Sequence, residues 1–241
     1  MSALVFSFAC GSAYAAMSVY SLGHADIGVG YTTSGGLEPH WHLHSGATVN
    51  GSPLPADAEY EPDQLLAFVP NPSVPRPTGP MWDFLGNSAG DPLWYLPQSL
   101  QMTKPFLGIA SEELNPDDWT SLKLSLVGMT GPTGGHFSLW QSGFSGPDVK
   151  MATSDGITGA DSFSLVVGGH DHYNYGFTQP GVYYLDFKWD GVHVTDGPVS
   201  AEGRHAFGVT VVPEPGETAA VAGAVLAGFA LWRRWKTKRQ A

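Results

Sequence analysis

Residues 182–189 alternate without a break, with Tyr183, Leu185, Phe187 and Trp189 on one side and Asp186 and Lys188 on the other. That period of two belongs to a strand with one face in a core and the other toward water. It returns at 121–127 with Leu122, Leu124 and Leu126, and at 162–167 with Phe163 and Leu165. At 136–141 Phe137 and Leu139 oppose His136, Ser138 and Trp140, and at 204–212 His205, Phe207, Val209 and Val211 share a face. Turn signals separate the runs: Gly131-Pro132-Thr133-Gly134, Ser145-Gly146-Pro147-Asp148, Gln179-Pro180-Gly181 and Asp190-Gly191. The pattern predicts an all-β antiparallel sandwich, Ig-like or jelly-roll-like. Gly 31 and Pro 19 in 241 residues fit such a turn-rich chain, and a hydrophobic share of 42% supplies a core.

Residues 50–98 break the rhythm, with eight prolines from Pro53 to Pro80. They read as a long Pro-rich excursion. Its aromatics Trp82, Phe84, Trp94 and Tyr95 predict that it packs down as an ordered lid.

Charge is unevenly placed. Five of the 11 basic residues fall after residue 232, leaving 6 basic against 22 acidic before it. Such a body repels nucleic acid and anionic lipid and attracts cations. The only cysteine is Cys10, so no disulfide is expected in the body.

Both ends read as addresses. Residues 1–18 form an export signal, apolar from Ala3 to Ala9, with Ala13-Tyr14-Ala15 as a peptidase site and no basic n-region. The body spans 19–211. Residues 212–241 begin with Val212-Pro213-Glu214-Pro215, whose prolines end any strand. Residues 218–232 carry no charge. As a transmembrane helix they span about 22 Å, against a bilayer core of ~30 Å. Arg233 and Arg234 open a basic tail that would stay cytoplasmic. This order of motif, short helix and basic tail resembles the PEP-CTERM sorting signal. The resemblance implies an exosortase as partner, an inner-membrane anchor before processing, and then a cell-surface or extracellular location.

His40-Trp41-His42-Leu43-His44 puts three imidazoles on one strand face, and His170-Asp171-His172 repeats the pattern. Imidazoles two apart on a strand can reach one cation. His40, His42, His170 and His172 are therefore expected to converge on one divalent ion, with His24, Asp26 and His136 as further candidates. Spacing leaves zinc, copper, manganese and nickel open. The other reading is a set of polar surface positions.

Gly23-His24-Ala25-Asp26-Ile27-Gly28 and the run from His170 through Asn174-Tyr175-Gly176-Phe177 to Pro180-Gly181-Val182-Tyr183 resemble the choice-of-anchor M domain. The second run also resembles a repeat of actinobacterial surface-anchored proteins, with Tyr175 where that repeat has Trp. Related repeats stand beside ABC transporters, which implies extracytoplasmic capture of a ligand such as a metal.

The sequence has no Walker loop, His-Glu-x-x-His helix or Rossmann fingerprint. Glu112-Glu113 and Asp117-Asp118 read as solvated loop charge. Three functions stay in view: an extracytoplasmic binding module, a passive surface or matrix protein, and a metal-dependent hydrolase built on the histidines with Asp26 or Asp171.

Overall fold

The computed structural model describes residues 17–211. The strands are β1 (Ser18–Thr32), β2 (Gly36–Leu43), β3 (Thr48–Val49), β4 (Ser52–Pro53), β5 (Ala58–Tyr60), β6 (Leu65–Val69), β7 (Val74–Pro75), β8 (Pro92–Leu96) and β9 (Pro105–Ala110). They continue as β10 (Trp119–Thr130), β11 (Phe137–Gly143), β12 (Gly146–Ala152), β13 (Ser162–Ser164), β14 (His170–His172), β15 (Asn174–Phe177), β16 (Gly181–His193) and β17 (Gly197–Val209). Among the described residues the helical pieces are short 3-10 turns at Pro80–Leu85 and Pro116–Asp118. The export signal, the Val212-Pro213-Glu214-Pro215 motif and the expected membrane helix lie outside the described residues. No helix among the described residues is long and apolar enough to cross a membrane.

The strands form a sandwich-like pair of sheets. The larger has the order β13-β10-β16-β17-β6-β1-β2-β5, and β9 and β14 extend from β1 as a side leaf. The smaller has the order β12-β11-β15-β8-β7. β1 serves two leaves because it turns at Gly23, where φ is 87°. Before that point it pairs with β6, and after it with β2 and β9. Tyr175 and Phe177 of the smaller sheet lie 5.9 and 5.4 Å from Phe207 of the larger. Burying each such ring contributes roughly 1.5–3 kcal/mol.

The alternating runs hold. Leu122, Leu124, Leu126, Tyr183, Leu185, Phe187 and Trp189 are fully buried. Other expectations change. The sheet is mixed rather than antiparallel, because β6 runs parallel to both β1 and β17, and β9 parallel to β1. The Pro-rich stretch packs down through its aromatics as expected, but it is more than a lid. Its Leu65–Val69 run is a buried strand between β17 and β1, and β8 lies inside the smaller sheet. β6 is covered on both faces, so it shows no alternation. Phe163 and Leu165 only flank the core, because β13 is short and peripheral. β17 stops at Val209, before Thr210 at φ 59°, and Val211 is exposed. Ser138 and Trp140 are buried like Phe137 and Leu139, since Trp82 and Phe84 cover the second face of β11.

Candidate metal centre

The side leaf runs β14-β9-β1-β2-β5, and its register decides what meets. Asp26 sits opposite His42 on β2 and beside Gly108 on β9, and Gly108 in turn sits opposite His172 on β14. Glu59 of β5 sits opposite His42. Strand alternation sends Ala25, Ile27, Trp41, Leu43, Leu107 and Ile109 into the core. The intervening residues of β1 and β2, with the two end residues of β14, face the other way. They are His24, Asp26, His40, His42, His170 and His172, continued by His44 just after β2.

At one end three imidazoles converge. His170 Nε2 lies 3.0 Å from His172 Nε2 and 3.3 Å from His24 Nε2. It is also 3.1 Å from Asp26 Oδ1. One nitrogen carries at most one proton, so His170 Nε2 cannot donate to all three neighbours. A cation would satisfy them together. Zinc–nitrogen bonds of ~2.0–2.1 Å at the tetrahedral angle place neighbouring nitrogens ~3.3 Å apart, close to the spacing seen. The second Asp26 oxygen lies 3.0 Å from His44 Nε2 and 3.5 Å from His24 Nε2.

Asp26 is 1% exposed. Burial alone would raise its carboxyl, but hydrogen bonds from His170 and His24 outweigh it and hold the group well below the ordinary carboxylate range. The bond to Asp26 raises the His170 imidazole. Burial pushes the His172 imidazole down to about 4, which leaves it neutral and able to coordinate near pH 7. The His172 ring stacks on Phe106 at 3.6 Å. Gly108 makes room for the group: a Cβ there would collide with Asp26 Oδ1 and stand 2.8 Å from His170 Nε2.

The other end is built from His40, His42, Glu59 and Glu113, whose ligand atoms lie within 4.8 Å of one another. Hence the four histidines do not form the single site expected from their spacing. Each pair joins its own group, because β9 and β1 stand between β14 and β2. His24 and Asp26 join the His170 end, whereas His136 sits beside Gly86, outside these groups. Asp171 points away, into a hollow of about 220 Å³ shared with Lys150, Gln141 and Tyr173.

Sequence reasoning missed Glu112, Glu113 and Glu59, and left His44 out of the ligand set. Glu112 and Glu113 follow β9 and part to opposite ends of the face. Glu112 lies 3.6 Å from His170, while Glu113 lies 2.8 Å from His40 and 3.4 Å from His42. A glycine at position 108 on a strand otherwise rich in apolar side chains was the available signal. Comparison with family models, curated proteins and solved structures finds no match for this chain.

Proposed function

We propose that the chain is an exported envelope protein whose β body captures a divalent metal ion, zinc by preference, through His24, His170 and His172. Asp26 supplies negative charge beneath them, and His44 steadies Asp26. The observation that carries this reading is three Nε2 atoms 3.0–3.3 Å apart along the contacts from His170, more than their protons can satisfy. Three imidazoles favour zinc, copper or nickel over calcium or magnesium. The acidic body adds long-range attraction for cations.

The body is a variant of the Ig-like or jelly-roll sandwich related to the choice-of-anchor M domain. An exosortase recognises Val212-Pro213-Glu214-Pro215, and residues 218–232 hold the chain in the inner membrane with Arg233 and Arg234 on the cytoplasmic side. After processing, the body works at the cell surface or outside it, where an ABC transporter is the class of partner suited to receive the metal.

Zinc titration of the untagged protein, followed by calorimetry, tests the binding reading. Wild type should bind zinc, and His170→Ala with His172→Ala should lose the tight site. Equal heats from both proteins would leave a passive surface protein as the better description. Deleting residues 213–241 tests the sorting reading. The truncated body should fold and leave the membrane, and misfolding would place that segment in the core instead.

A further inference from the structure

We infer that the same face holds a second, chemically different cation at the His40, His42, Glu59 and Glu113 group, and that the face takes two ions and no more. This rests on the metal-binding reading of the face given above.

The second group is built rather than incidental. His40 is 7% exposed, and its Nδ1 lies 2.9 Å from the Glu38 carbonyl oxygen. That contact makes Nδ1–H the donor and leaves Nε2 as the ligating atom, as is usual for histidines on metals. Nε2 then faces Glu113 Oε1 at 2.8 Å, acceptor to acceptor, so a cation or proton must lie between them. His42 Nδ1 reaches the same Glu113 oxygen at 3.4 Å. Two glycines of β1 clear the space. A Cβ on Gly28 would stand 2.7 Å from His40 Nε2, and one on Gly30 would stand 3.0 Å from Glu113 Oε2. A cavity of about 40 Å³ lined by Asp26, His42, Glu112 and Glu113 adjoins the group. It has room for an ion with a few waters and is far below the ~300 Å³ of an ordinary organic-ligand pocket.

The donor sets differ in kind. The first end offers imidazoles, and the second offers two imidazoles and two carboxylates. Mixed oxygen and nitrogen donors suit manganese(II), which competes poorly for an all-imidazole site. The groups also overlap. His24 and His44 flank Asp26 in one set, His42 and His44 flank Asp57 in another, and these share residues with the two ends. His24, His44 and His42 therefore each belong to two neighbouring sets. An imidazole committed to one ion is lost to the next set, so adjacent sets cannot fill together and the total stops at two.

The test uses the full chain first loaded with one equivalent of zinc and then titrated with manganese(II), counting free manganese by its paramagnetic resonance signal. One manganese per chain should bind. His40→Ala with Glu113→Gln should abolish it and leave zinc affinity unchanged. Glu113→Gln alone, a loop change of equal volume, should weaken manganese at least tenfold. His170→Ala with His172→Ala should keep the manganese. Failure of the zinc-loaded chain to take manganese overturns the second site and leaves the zinc reading intact. Manganese lost only with His170 and His172, or three ions per chain, overturns it as well. Failure of wild type to bind zinc removes the reading on which both rest.

Discussion

The outer faces of two regions of the larger sheet handle negative charge in opposite ways. On β16 and β17 Asp186 takes two hydrogen bonds from the Arg204 guanidinium, at 2.6 and 3.0 Å, and Asp190 lies 2.8 Å from the Lys188 ammonium. On the leaf built from β1, β2, β9 and β14, Asp26 and Glu113 meet imidazoles instead. Guanidinium and ammonium groups carry charge at every ordinary pH, so the first face is complete as it stands. Imidazole is a conditional partner that needs a proton or a metal ion to balance a carboxylate. The first face is a solvated surface, and the second is the one on which we propose a cation binds.

The largest effect that separates the two faces is metal-linked stability. Zinc at a hundred times its dissociation constant should raise the unfolding free energy by about 2.7 kcal/mol, and a chelator should reverse it. The Arg204→Ala variant should keep that increment, and the His170→Ala, His172→Ala variant should lose it. Urea unfolding with and without zinc measures both. No zinc dependence in wild type breaks the comparison.

Next in size is an acid effect that belongs to neither face. His205 lies on β17 and is fully buried, packed on Trp41 and Phe187 and influenced by His40 and Asp186. Burial pushes its imidazole down to about 4 from an ordinary 6.5. As pH falls through 6.5 the unfolded chain takes up a proton that the folded chain refuses. Stability is therefore lost as pH drops from 6.5 toward 4. The loss between pH 7 and pH 5 is about 2 kcal/mol from this group alone. His205→Leu should remove it, seen as a flatter dependence of the urea midpoint on pH. An unchanged slope would assign the acid sensitivity to the histidine face.

Gly108→Ala sharpens the comparison from the side of the backbone. Its Cβ displaces Asp26 and His170, so zinc affinity should fall at least tenfold, about 1.4 kcal/mol, with the strand content unchanged by circular dichroism. The smallest effect is Arg204→Ala without metal. That exposed pair should cost less than about 1 kcal/mol, and less again in high salt.

Much of this contrast is legible in the sequence. Alternation places His40, His42 and His44 together, because Trp41 and Leu43 must go inward, and the same logic aligns His170 with His172. It also marks β10 and β16. Alternation says nothing of which strands are neighbours. The parallel seat of β9 against β1 brings His24 and Asp26 to His170, and no local pattern encodes it. The Leu65–Val69 run was unreadable for a related reason. A strand covered on both faces has no polar side to give it a period, and the flanking Pro62 and Pro70 resemble loop. Glu112 and Glu113 read as solvated loop charge, since adjacent residues diverge on a strand. They do diverge, each toward a different group of histidines.

β6 lies between β1 and β17, parallel to both, and it joins the first described strand to the last. Ser18 pairs with Leu65, and Ala206 with Leu66, so the three strands run in the same direction side by side. Tension drawn between residue 18 and residue 209 would pull β1 and β17 in opposite senses along β6. The hydrogen bonds of that seam would be loaded in shear and share the force, instead of opening one after another like a zip. Held at both of these ends, the body would meet a stretching load with that geometry.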